Sequence, residues 1–180
     1  MLHLAVAIND KNNNLIPKIV SLFTYSVAYH TELVFSDGKA IFASHKAGIT
    51  WVEREYNPYN WVNVPLPWIG RHEQILIREW CNDLVQQDAQ YDWAGAIFGG
   101  FWNNIEDPNK WFCSELCAAA IREYTPPIKE AGDKKWWSPK DLWKVCSDYL
   151  VATKSDMTKF YHCRFDNRGK NIKKEDVKSA

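Results

Sequence analysis

Nowhere in the sequence do apolar residues continue for the ~20 positions that a membrane-spanning helix needs. The first apolar run, Leu2 to Ile8, is too short for a secretion signal and has no basic start before it. The expectation is a cytoplasmic protein, of a bacterium or of a phage-infected host cell. An excess of one charge is also missing, since 22 Lys and Arg stand against 22 Asp and Glu. That balance leaves no global argument for nucleic acid or for an anionic membrane surface. The only basic cluster, Arg164, Arg168, Lys170, Lys173, Lys174 and Lys178, reads as a solvated end, so no nucleic-acid partner is expected. A disulfide framework is missing too: the five Cys are odd in number and regular in no spacing, so free thiols are expected. Metal ligands show no pattern. Cys113 and Cys117 are not spaced as a usual zinc pair, and His3, His30, His45, His72 and His162 are scattered. Neither a metal nor another cofactor is expected. With no internal repeat and no long linker, residues 1–166 read as one domain and 167–180 as a polar basic tail.

What is present is apolar and aromatic. Hydrophobic residues make up 46% of the 180, and there are ten Trp. Such a chain can bury a core, and the Trp set serves either aromatic packing or a ligand groove. The first half is β-rich. Leu2–Ile8 reads as a short buried strand, and Ile16, Ile19, Val20 and Phe23 as a helical stripe. Val27–Phe35 and Lys39–Ser44 form a hairpin around Ser36-Asp37-Gly38, followed by strands at Gly48–Glu53 and Trp61–Val64. The second half is mostly helical. Helices are expected at about Arg71–Gln87, with Ile77, Trp80, Cys81 and Leu84 as its stripe, at Trp93–Phe98 and at Cys113–Tyr124. Ser138-Pro139-x-Asp141 carries the cap, first-turn proline and carboxylate of a helix start. Tyr161–Phe165 reads as a last strand. The class is α+β, an antiparallel sheet packed against helices.

Two segments carry chemistry. In Trp111-Phe-Cys-Ser-Glu115, Cys113 falls where an apolar run gives way to a helix. Free N–H groups and a partial positive charge there stabilise a thiolate and can hold an oxyanion. Glu115 nearby pulls the other way on the thiol. In Tyr29-His-Thr-Glu-Leu-Val-Phe35, strand alternation sets His30 and Glu32 on one face. A neutral imidazole beside Cys113 would take its proton and later return it to a leaving group.

His-x-Glu-Leu-Val-Phe-x-Asp-Gly, Tyr-Asp-Trp-x-Gly and Phe-Cys-Ser-Glu, in that order over Val27–Tyr124, resemble the permuted branch of the NlpC/P60 superfamily. These are papain-like cysteine hydrolases in which the His strand precedes the Cys helix. The resemblance implies a circularly permuted papain-like fold, with Cys113 as nucleophile and His30 as base. It implies a Tyr91 near the nucleophile that helps bind the oxyanion, with Glu32 on the same substrate side. Core packing is the plain alternative for Tyr91. It also implies a polar residue on the next strand that orients the His. A two-residue turn at Asp37-Gly38 sets His45 across from His30, whereas a three-residue loop with a bulge at Gly38 sets Ser44 there. Ser44 is the first choice, His45 the second and Glu32 the third.

The resulting expectation is a cysteine hydrolase or acyltransferase, peptidase- or amidase-like, that acts on a peptide-like amide, an ester or a thioester. The competing reading keeps the fold without turnover. In that reading Trp51, Trp61, Trp68, Trp102, Trp111, Trp136 and Trp137 line a partner surface.

Overall fold

The computed structural model describes residues 1–8, 26–92, 95–96, 109–131 and 137–164, with side chains as far as 154. The expected helices at Ile16–Phe23 and Trp93–Phe98 and the tail from 167 onward lie outside, or almost wholly outside, these residues.

Five antiparallel strands make the main sheet: β1 (His3–Ile8), β2 (Ala28–Val34), β3 (Lys39–Ser44), β4 (Gly48–Glu53) and β5 (Trp61–Pro65). Their spatial order is β4-β3-β2-β1-β5. β1 pairs on both sides, and its four inner residues, Leu4 to Ala7, are all buried. A strand covered on both faces reads as a continuous apolar run rather than an alternating one, which is how Leu2–Ile8 reads. The hairpin between β2 and β3 is the three-residue form. Phe35 N–H bonds the Lys39 carbonyl (2.8 Å), Gly38 takes φ +85°, and Leu33 pairs with Ile41. Arg78 closes on Asp37 with two hydrogen bonds of 2.9 and 2.7 Å, tying the hairpin tip to the helix that follows the sheet.

That helix is α1 (Arg71–Gln86), which buries Ile77, Cys81 and Leu84 of the expected stripe. Trp80 is half-buried and packs edge-on against Trp111. A short parallel pair follows, β6 (Gln90–Tyr91) with β7 (Lys110–Trp111). It delivers the chain to α2 (Cys113–Ile121), a helix buried on nearly every side. The α-helix expected to reach Tyr124 ends at Ile121 and tightens into a 3-10 turn over Arg122–Tyr124. α3 (Pro126–Glu130) then starts at the paired prolines, which suit a first helical turn.

α4 (Pro139–Arg164) begins where the Ser138 hydroxyl accepts the Asp141 N–H at 3.0 Å. It corrects the strand expected at Tyr161–Phe165, since residues as far as Arg164 are helical. The sequence from Lys140 to Asn167 holds neither Pro nor Gly, so nothing interrupts a helix that is already nucleated. The core joins Leu4, Val6, Leu33 and Ile41 of the sheet to Leu116, Cys117 and Ile121 of α2 and Leu142 and Cys146 of α4. The chain is thus α+β with an antiparallel five-stranded sheet, and among the described residues no helix is long and apolar enough to cross a membrane.

Candidate active site

Cys113 is the first residue of α2, 5% exposed. Phe112 is extended in front of it, and the Glu115 carboxylate reaches back to the Phe112 N–H at 3.4 Å. The residues Phe-Cys-Ser-Glu therefore set a thiol among the unpaired N–H groups of a helix start, with the carboxylate turned to the cap. The Ser114 hydroxyl bonds the Trp137 carbonyl at 2.6 Å, anchoring the first turn to the segment before α4.

The Cys113 thiol is hydrogen-bonded to the His30 imidazole on β2. The ring's Nε2 lies 3.0 Å from Glu32 Oε1, so Nδ1 is the nitrogen left for the sulphur. Glu32 has no exposure, and two further groups answer its charge. The Tyr56 hydroxyl donates to Oε2 at 2.6 Å, and the Arg54 guanidinium lies 3.2 Å from Oε1. Arg54 also stacks over Phe42 and Trp61, at 5.0 and 5.8 Å, and those two rings flank His30 edge-on.

The register explains how these groups meet. One row across the sheet runs His30, Ala7, Trp61, and the next runs Glu32, Ala5, Asn63. Strands on either side of β1 are ~10 Å apart. Only a small residue between them lets the His30 and Trp61 rings come to 6.2 Å. Alternation sets Thr31 and Leu33 on the other face, where the Cys117 thiol meets Thr31. α2 therefore packs on the Thr31 face, and its first residue reaches the imidazole where β2 and β3 part.

The electrostatics follow from this packing. Burial opposes a charged imidazole, but the sulphur's charge and hydrogen bond, reinforced by Glu32, outweigh it and lift His30 to about 10. Burial alone would push the Cys113 thiol up. The imidazolium, together with the N–H groups of Thr31 and Ser114, brings it below its ordinary value. Both shifts favour the charged pair, thiolate and imidazolium, over the neutral one. Burial also works against ionised Glu32, yet His30, Tyr56 and Arg54 hold it below the usual carboxylate range. The remaining thiols run the opposite way. Burial raises Cys81 and Cys146 to about 12 and Cys117 well above its ordinary value. Of the four thiols whose side chains are described, Cys113 alone is lowered.

Of the residues named from sequence, Cys113, His30 and Glu32 form one hydrogen-bonded chain. Tyr91 stands near enough that the charge on Cys113, after burial, raises its hydroxyl. Its strand is held by the Tyr91–Trp111 bridge, and the Asp92 carboxylate caps the Gly95 N–H at 2.8 Å. A Cβ at Gly95 would run into that carboxylate and the Phe112 ring, which is the physical content of Tyr-Asp-Trp-x-Gly. Ser44 is occupied elsewhere: its hydroxyl accepts the N–H groups of Lys46 and Ala47 in the turn to β4. His45 is exposed in that turn. The hairpin takes the register that aligns Ser44 with His30, but β2 and β3 stop pairing at Leu33–Ile41, short of both. The carboxylate in contact with the imidazole is that of Glu32, the third choice. Arg54 and Tyr56 went unremarked in the sequence, because they lie between β4 and β5 with no periodicity to mark them.

The Trp residues that are described serve packing. Trp51 bonds Asn82 (2.9 Å), Trp68 bonds Thr125 (3.2 Å) and Trp137 is buried. Among the described members of the set, Trp61 is the one against His30. Trp102 and Trp136 lie outside the described residues. Among the described residues no group of three or more His, Cys, Asp or Glu stands together as a metal site would require. In comparisons with known proteins, no family model, no curated protein and no solved structure matches this chain.

Proposed function

We propose that this chain is a cysteine hydrolase or acyltransferase of permuted papain-like order, with the His strand before the Cys helix, as in the NlpC/P60 resemblance. One observation carries the reading: a helix-start thiol, a strand imidazole and a fully buried carboxylate joined in sequence, Cys113–His30–Glu32. Nucleophile, base and orienting group in that order are what acyl transfer needs.

Cys113 Sγ attacks the carbonyl carbon of an amide, ester or thioester, and the carbonyl electrons move to oxygen. The N–H groups at the start of α2 face that oxyanion, and the Tyr91 hydroxyl is a second donor toward it. The carbon–heteroatom bond breaks, His30 gives its proton to the leaving group, and a thioester remains on Cys113. Water, or a second nucleophile, loses a proton to His30 and attacks the thioester. The carbon–sulphur bond breaks and the thiolate returns. Glu32 keeps the ring oriented and its cation stable throughout. A peptide-like amide is the first substrate to try, since the protonated imidazole supplies the acid that an amine leaving group requires.

The test is site-resolved iodoacetamide alkylation against pH in wild type and His30→Ala. Expected is rapid modification of Cys113 near neutrality, slowed about tenfold or more by His30→Ala, with Cys81, Cys117 and Cys146 inert. If Cys113 is as slow as those three, the catalytic reading fails. A binding protein that keeps the fold would then explain the chain better.

A further inference from the structure

We infer that the backbone N–H of Thr31 is part of the catalytic apparatus, holding the negative charge on the Cys113 sulphur from the side of the sheet. The inference rests on the hydrolase reading and adds a strand donor to the helix start.

Main-chain hydrogen-bonding groups along a strand face its two neighbours alternately. Phe35 N–H bonds Lys39 of β3, so Leu33 and Thr31, two and four residues back, also face β3. The main-chain groups of Val34, Glu32 and His30 then face β1, opposite His3, Ala5 and Ala7, while Thr31 lies across from Val6 with its N–H turned the other way. The rung after Leu33–Ile41 would join Thr31 to Ala43. It is not made, although Ala43 still pairs with Ile49 on the β4 side of its strand. Thr31 is wholly buried, and a buried main-chain N–H needs a partner.

Cys113 is that partner. The Thr31 N–H donates to its sulphur, alongside the Ser114 N–H and the His30 ring. The three donors come from a strand, a helix start and a side chain. Hydrogen bonds to an ionised acceptor are about twice as strong as neutral ones. The opening between β2 and β3 thus exchanges a neutral sheet bond for a charge-assisted one. The Thr31 side chain does not supply the reason, because its hydroxyl has no nitrogen or oxygen partner and lies beside the Cys117 sulphur.

Three changes at position 31 separate the atoms. Thr31→Val removes the hydroxyl and keeps the N–H. Thr31→Pro removes the N–H without costing a rung, because that rung is not made. A main-chain ester at 31, installed by semisynthesis in the Thr31→Val chain, removes the N–H and preserves the side chain. Thiolate ultraviolet absorbance against pH and iodoacetamide alkylation at mildly acid pH read the effect on Cys113. Thr31→Val, with the hydroxyl gone and the N–H kept, is the reference for the other two. The proline and ester forms should alkylate about tenfold more slowly, with the thiolate appearing at higher pH. If the proline form does not fold, the ester form decides. An ester chain that reacts as fast as Thr31→Val overturns the inference and leaves the hydrolase reading standing. A wild-type Cys113 that is inert near neutrality overturns both.

Discussion

A carboxylate with no exposure is costly unless its charge is answered, and Glu32 is answered by His30, Tyr56 and Arg54 together. Glu32→Gln keeps the shape and one acceptor but removes the charge. We expect it to lower stability by about 1–3 kcal/mol, read as a fall in urea midpoint at constant slope. The His30 titration midpoint, followed by NMR, should move down toward 6.5, the ordinary imidazole value. An unchanged midpoint would mean that Glu32 is only packed there. Cys113 and His30 are legible in the sequence because one opens a helix and the other sits in a strand of clear alternation. The orienting group is less legible. The choice of Ser44 assumes that β2 and β3 keep pairing beyond Ile41, and they do not. No one-dimensional signal reports where a ladder stops. Arg54 and Tyr56 are invisible for a related reason, since each acts from an irregular segment through contacts remote in sequence.

Strand boundaries follow the sequence closely where turn chemistry is strong. β3 and β4 match their expected limits because Gly38 and Gly48, at φ +85° and +64°, fix the turns on either side. Gly48 has a second duty. A Cβ there would lie 2.5 Å from the Ala89 carbonyl oxygen, which accepts the Ile49 N–H at 2.9 Å. Gly48→Ala should therefore destabilise by about 1–3 kcal/mol through backbone strain, measurable by urea unfolding. A change within about 0.5 kcal/mol would show that the turn can move. The failure at Tyr161–Phe165 has the opposite origin. Aromatic and apolar residues there suggest a strand, but a helix that already runs from Pro139 to Phe160 extends at little cost when no breaker intervenes. In β1 the order Leu4-Ala5-Val6-Ala7 reads simply as apolar, yet its two alanines are what let Glu32 and His30 lean across the strand. Burial was legible in that run, and the need for smallness was not.

For the molecule as a whole, the dyad shapes the dependence of stability on pH. His30 titrates near 10 when folded and at about 6.5 when unfolded. Between those values the folded chain holds the extra proton, and stability falls as pH rises. Cys113 is depressed below 9.0. From its folded value up to 9.0 the unfolded chain holds the extra proton, and stability rises with pH. Where the two windows overlap, below 9.0 and above the folded Cys113 value, the slopes oppose each other and leave a plateau; from 9.0 to about 10 only the fall due to His30 remains. The urea midpoint of wild type, less that of the Cys113→Ala, His30→Ala double variant, should trace this plateau and descent. A difference that falls steadily from 6.5 upward would mean that Cys113 is not lowered, and one that rises steadily would mean that His30 is not raised.

The same four side chains have a consequence at long range. Thiolate and carboxylate carry two negative charges, imidazolium and guanidinium two positive ones, and the sum within the site is zero. The field of such a quadrupole-like set dies away over a few ångströms, well inside the ~10 Å over which dilute salt screens. With Cys113 and His30 in their charged forms, these four side chains together give a distant charged molecule of either sign no net pull or push. Encounter is left to diffusion, and discrimination to what happens on contact.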